Sequence, residues 1–131
     1  RLTNTIHFMV KQVAESCDIE FVTEIDNVDG LLTKDNEMNL YRIVQESVNN
    51  IVKHSQAKNA EVILNRTENG LKLTVTDNGI GFSETEEDYL KFGTGLNGMT
   101  ERAKMLDSNL IIKAIPGKGT ELILELNLTL H

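Results

Sequence analysis

With 131 residues, 40% of them hydrophobic and 25% charged, the chain suits one globular domain with room for a proper core. A formal net charge of -7 argues against a general binder of nucleic acid or of acidic membrane surfaces. No run approaches the roughly 18 apolar residues of a membrane span, and no signal-peptide pattern opens the chain. The lone Cys17 excludes a disulfide framework or a cysteine metal cluster within it, and a reducing, cytoplasmic setting fits best. The start at Arg1 predicts a piece of something longer.

Leu2, Ile6, Met9, Val10 and Val13 recur at spacings of three and four, which predicts an amphipathic helix over about 2–16. His7 lies in it, followed by Phe8 rather than by an acid, and reads as a solvated or partly packed helix histidine. Ile19 to Ile25 alternates Ile19, Phe21, Thr23 and Ile25 on one face, a strand, and Asp26 to Gly30 is a turn-rich loop. Thr33 or Asp35 can cap a second helix, with Glu37 at capping-box spacing from the residues before it. That helix, through about His54, carries a broad apolar stripe of Leu40, Ile43, Val44, Ser47, Val48, Ile51 and Val52 that should face a sheet.

At 100° per residue, Glu46, Asn50, Lys53 and His54 gather on a neighbouring polar sector. Such a carboxylate, amide and cation could hold a metal ion and attached phosphates, one amide oxygen from Asn50 being enough for magnesium. The same pattern describes a solvated helix face.

Glu61 to Asn65 and Leu71 to Thr76 are strands of a hairpin closed by Asn69-Gly70. The second strand delivers Asp77 into Asp77-Asn-Gly-Ile-Gly81. A planar ligand could hydrogen-bond that carboxylate while glycine backbone packs beside it; an Asn-Gly turn that simply ends a strand fits equally. Phe82 to Phe92 is acidic and without period. Gly93-Thr94-Gly95-Leu96 then precedes a helix marked by Leu96, Met99, Ala103 and Leu106. Glycines there offer backbone N–H groups to an anion or merely cap the helix. Asn109 to Ile115 is a strand, Pro116 to Gly119 a tight turn, and Thr120 to Leu128 the last strand, with Leu122, Leu124, Leu126 and Leu128 on one face. Thr120 falls near the mouth of any site formed by Asp77, and β-propensity alone accounts for it as well.

Three stretches in this order carry a resemblance: Tyr41 to His54 (YRIVQESVNNIVKH), Asp77 to Gly81, and Gly93 to Arg102 (GTGLNGMTER). Together they resemble the ATP-binding catalytic domain of a two-component sensor histidine kinase, of the GHKL superfamily that includes gyrase, MutL and a heat-shock chaperone. The wording around Gln45-Glu46, Lys53-His54 and Gly98-Met99 is similar to the nitrate-sensor and DesK-like subfamily. The resemblance covers nearly the whole chain, as a single domain over 1–131. It implies the Bergerat fold: a two-layer α/β (α+β) sandwich of a mixed sheet with helices on one face.

The resemblance also implies ATP and Mg2+ as cofactors. Asp77 matches the carboxylate that accepts the adenine amine, with a water that Thr120 shares. Asn50 matches the magnesium-ligating asparagine, and Lys53 and His54 match positions near phosphates or ribose. Gly79 and Gly81 match the first glycine motif, and Gly93, Thr94, Gly95 and Leu96 the second, against the phosphates. Glu46 matches the glutamate that activates water in hydrolysing relatives. The implied lid is 82–92. The implied partners are the dimerisation and phosphoacceptor helices of a parent homodimer and a response regulator, with no nucleic acid and no direct membrane contact by this piece. The phosphoacceptor histidine lies on a separate hairpin in the family. The piece is therefore expected to be a monomer that binds ATP without phosphorylating itself. An anti-sigma-factor-type serine kinase, a degenerate interaction module and a gyrase-type hydrolase are the competing readings.

Overall fold

The computed structural model describes residues 1–81 and 97–128. Helix α1, Leu2–Glu15, turns Leu2, Ile6, Met9 and Val10 inward, the spacing that puts apolar side chains on one stripe. His7, on its flank, shares a hydrogen bond of 3.1 Å with the Thr23 hydroxyl, so it is a partly packed helix histidine. Strand β1 is Glu20–Ile25, and helix α2 is Lys34–Asn50.

Thr33 is the α2 cap: its hydroxyl accepts the Asn36 N–H at 3.2 Å. Asn36 therefore occupies the third helical position, and Glu37 stands one residue too late for the capping box. Past Asn50 the helix widens into a π-helical turn, Ile51–Ser55. Leu40, Ile43, Val44, Ser47, Val48 and Ile51 are buried as the stripe requires, but Val52 is 37% exposed. Each residue of a π turn advances by a smaller angle than in an α-helix, so the stripe leaves phase there.

Strands β2 (Asn59–Arg66), β3 (Gly70–Asp77), β4 (Asn109–Ile115) and β5 (Gly119–Asn127) complete a five-stranded sheet in the order β1-β2-β3-β5-β4. Only β1 and β2 are parallel, joined through α2; the other neighbours are antiparallel. The sheet is therefore mixed. Residues 97–105 form a further helix, α3, with Met99 and Ala103 buried and Leu106 buried just beyond it.

Alternation gives each strand one inward set. Val62, Leu64, Leu71, Leu73, Val75, Leu122, Leu124 and Leu126 form the sheet's buried face, in one cluster with the buried residues of all three helices. The opposite face carries charges in register, with Lys72 beside Glu125 and Lys113 beside Glu121. Gly70 opens β3 where β5 comes very close, since a Cβ there would sit 1.9 Å from the Leu126 carbonyl oxygen. Among the described residues, no helix is long and apolar enough to cross a membrane.

The two possible caps of α2 are separable by experiment. Thr33→Ala should cost about 1 kcal/mol in urea unfolding, by stranding the Asn36 N–H. Asp35→Ala should lose only a few tenths of a kcal/mol of interaction with the helix dipole.

Candidate functional site

The loop after β3 is held from three sides. The Asn78 N–H donates to the Asn59 carbonyl at 3.1 Å. The Asn78 side-chain oxygen accepts the N–H groups of Lys58 (3.0 Å) and Asn59 (2.9 Å), tying the loop to the start of β2. The Ile80 N–H donates to the Ser55 carbonyl at 2.8 Å, and the Ile80 carbonyl accepts the Gly117 N–H at 2.5 Å. The ends of α2, β2, β3 and the β4–β5 turn therefore meet around five residues.

The two glycines of this loop are required by these contacts. A Cβ on Gly79 would lie 2.1 Å from the Ser55 carbonyl oxygen. Gly81 has φ +63°, and a Cβ there would lie 2.3 Å from the Ile115 carbonyl oxygen. The Ser55 hydroxyl secures the other side, donating to the Ile51 carbonyl at 2.6 Å and accepting the Ala57 N–H at 3.0 Å.

Beside this junction lies a recess walled by α2 and its π turn, by β3 and β5, by Ile112 of β4 and by Met99 of α3. Its apolar walls are Ile51, Val75, Met99, Ile112 and Leu122. Its polar groups among the described residues are Ser47, Asn50, His54, Ser55, Asp77 and Thr120. Asp77 and Thr120 are direct cross-strand neighbours, which is why both reach the same mouth. One Asp77 carboxylate oxygen accepts the Gly79 N–H at 2.8 Å. Burial pushes the Asp77 carboxyl above its ordinary 3.8, while N–H donors from Gly79 and Thr120 pull it back. An ionised carboxylate in such surroundings favours a ligand that brings a donor. A flat apolar ring with an exocyclic amine has that chemistry.

Of the residues singled out from sequence, Asn50, His54, Asp77, Gly81 and Thr120 line this recess together. Glu46 is half-buried and Lys53 exposed, and neither is among the lining residues. Gly79 faces the Ser55 carbonyl, so its missing side chain answers a protein contact. Gly93, Thr94, Gly95, Leu96 and the 82–92 stretch lie outside the described residues. The sequence reading missed Ser47, Ile51, Val75, Met99, Ile112 and Leu122 as walls. Ser47 alone carried a usable signal, being a hydroxyl inside an otherwise apolar helical stripe.

Residues 35–130 match the family described as histidine kinase-, DNA gyrase B-, and HSP90-like ATPase. The sensor histidine kinase ComP of Bacillus subtilis (strain 168) is 32% identical over 127 residues, which cover 97% of this chain and 16% of that protein. Sensor histidine kinase DesK of the same organism is 36% identical over 103 residues, covering 79% and 27% respectively. The chain thus spans about a sixth to a quarter of these relatives' length. The histidine kinase domain of the Erythrobacter litoralis EL346 blue-light activated histidine kinase superposes with a TM-score of 0.84 at 18% identity, over 98% of this chain and 61% of that one. The ATP binding domain of PrrB from Mycobacterium tuberculosis does so at 0.72 and 20% identity, over 95% and 92%. At such identities the structural likeness is one of fold.

The buried carboxylate predicts a measurable pH dependence without ligand. The folded chain holds the Asp77 proton more tightly than the unfolded chain. This group's contribution to stability is therefore greatest in acid and is lost as pH rises from 3.8 through the raised folded value. Asp77→Asn should raise the thermal midpoint at pH 7, and the gain should shrink as the pH is brought below 4. A gain independent of pH would show that the charge is not its source.

Proposed function

Because the chain belongs to the histidine kinase-, DNA gyrase B-, and HSP90-like ATPase family, we propose that it is the ATP-binding catalytic domain of a sensor histidine kinase. The observation that carries this reading is the half-buried Asp77 carboxylate in an otherwise largely apolar recess, with Asn50 of α2 on the same lining. Relatives of the chain are named as sensor histidine kinases, which favours this reading over a serine kinase or a non-catalytic module.

Adenine enters between Val75, Met99, Ile112 and Leu122, and its exocyclic amine donates to Asp77. Guanine presents a carbonyl at that position, acceptor against acceptor, and leaves a buried carboxylate unpaired. The cross-strand pairing of Thr120 with Asp77 supports a water shared between the Thr120 hydroxyl and that carboxylate. Among the described residues, no group of three or more His, Cys, Asp or Glu side chains could hold a metal ion by itself. A magnesium ion accompanying the phosphates needs few protein ligands, and the Asn50 amide, nine-tenths buried and facing the recess, fits as one of them. When bound, that ion neutralises charge on the phosphates.

His54 lines the recess and Lys53 follows Asn50 by less than one turn, so both are assigned to the ribose and phosphate side. Glu46, one turn before Asn50, is the carboxylate α2 offers to the reacting groups. Gly93 to Leu96 are assigned to phosphate oxygens through backbone N–H groups. In the transfer itself, a histidine ring nitrogen on a separate dimerisation domain bonds to the γ-phosphorus. The bond from that phosphorus to the bridging oxygen breaks, and ADP leaves. The phosphoryl group then passes to a response regulator. This chain's residues contribute binding, orientation and exclusion of water.

Calorimetric titration with ATP and ADP in magnesium tests the reading. Saturable binding of both is expected, weakened at least about tenfold by Asp77→Asn, with GTP bound no better than by that variant. Absence of adenine-nucleotide binding by the folded chain overturns it.

A further inference from the structure

Four polar side chains are buried among the described residues: Asn39, Ser47, Asn50 and Ser55. Ser55 is used in closing the π turn, and Asn50 faces the recess. The other two both face α3. The Ser47 hydroxyl lies 3.5 Å from the Met99 sulfur, and the Asn39 side-chain oxygen accepts from an Arg102 guanidinium nitrogen at 3.0 Å. Asn39 is 9% exposed and Arg102 half-buried.

Among the described residues, the apolar hold on α3 is narrow. Met99, Ala103 and Leu106 are its buried anchors, while Thr100, Glu101, Lys104 and Met105 are exposed. Apolar contact is non-directional, so a thin stripe alone lets a helix roll or slide. A charge-assisted hydrogen bond to a buried amide supplies the missing direction. Asn39 and Asn50 are eleven residues apart, which returns them to the same side of α2, about 16 Å apart along its axis. Met99 and Arg102 are three apart and therefore neighbours on α3. The bond at Asn39 thus sets the roll of the helix that carries Met99 into the wall of the recess.

The geometry points to Arg102 and Asn39 as a positioning couple for the nucleotide: they line no part of the recess, but fix Met99 as its wall against the base. This rests on the adenine-nucleotide reading of the recess, and its test is built to separate the two. Methionine methyl groups are labelled with 13C in the full chain, which has four methionines, and their signals are followed with and without ADP and magnesium. Affinity is measured by calorimetry and stability by thermal unfolding.

Arg102→Met and Asn39→Ala should each shift the Met99 methyl signal in the unliganded protein and weaken ADP binding roughly fivefold. The double variant should do no more than either single. Asn39→Asp, which keeps the acceptor, should retain the wild-type signal and affinity. If Arg102→Met does not fold, the contrast between Asn39→Ala and Asn39→Asp decides the matter. Variants that lose stability but keep the Met99 signal and the ADP affinity overturn the couple and leave it a packing contact. A wild-type Met99 signal that ignores saturating ADP overturns the nucleotide reading, while its response to the Arg102 and Asn39 variants still reports whether the couple holds α3.

Discussion

The approach of the Gly79 backbone to the Ser55 carbonyl is the constraint on which the site depends. Asn50 and Asp77 come from different elements, a helix and a strand, and nothing in either element alone fixes their separation. The Ile80 N–H bond to the Ser55 carbonyl and the absence of a side chain at Gly79 bring the helix end and strand end into contact. Asn78 then ties the same loop to β2. Gly81 and Gly119 do the equivalent on the far side, where a Cβ on Gly119 would meet the Asp77 carbonyl oxygen at 2.0 Å. Small residues here serve precision of assembly, and the room a ligand needs follows from it.

Within that frame the electrostatics are spare. Asp77 carries an unfavourable desolvation that two backbone donors only partly offset. On the reading proposed above, a ligand amine would relieve the remainder, so the burial that weakens the fold would also sharpen the choice of ligand. This is the usual trade between stability and site chemistry.

Much of this architecture was legible in the chain. The stripe of α2 and the alternation of β3 and β5 are strong periodic signals; both strands fall within a residue of the expected bounds, while α2 itself stops at Asn50, four residues before the expected end. For Asp77-Asn-Gly, the strand-ending turn is present, built by Asn78 and Gly79, and Asp77 at its start lines the recess. Three features were hidden for physical reasons. A π turn has no signature in hydrophobic period, so Val52 was assigned to the core. Met99, Ile112 and Leu122 show the same apolar spacing whether they fill a core or wall a recess. The Asn39–Arg102 pair joins residues 63 apart, and local patterns carry no information about such partners.

The π turn at Ile51–Ser55 behaves as one surplus residue wedged into a helix. Shortening the chain by one residue there would restore a regular helical arc. It would also swing the Ser55 carbonyl away from the Ile80 N–H and withdraw the contact that demands glycine at position 79. Length between Asn50 and Gln56 is therefore restrained in its own right, apart from the side chains that the arc carries, and an insertion or deletion there should break the junction even where every side chain is kept.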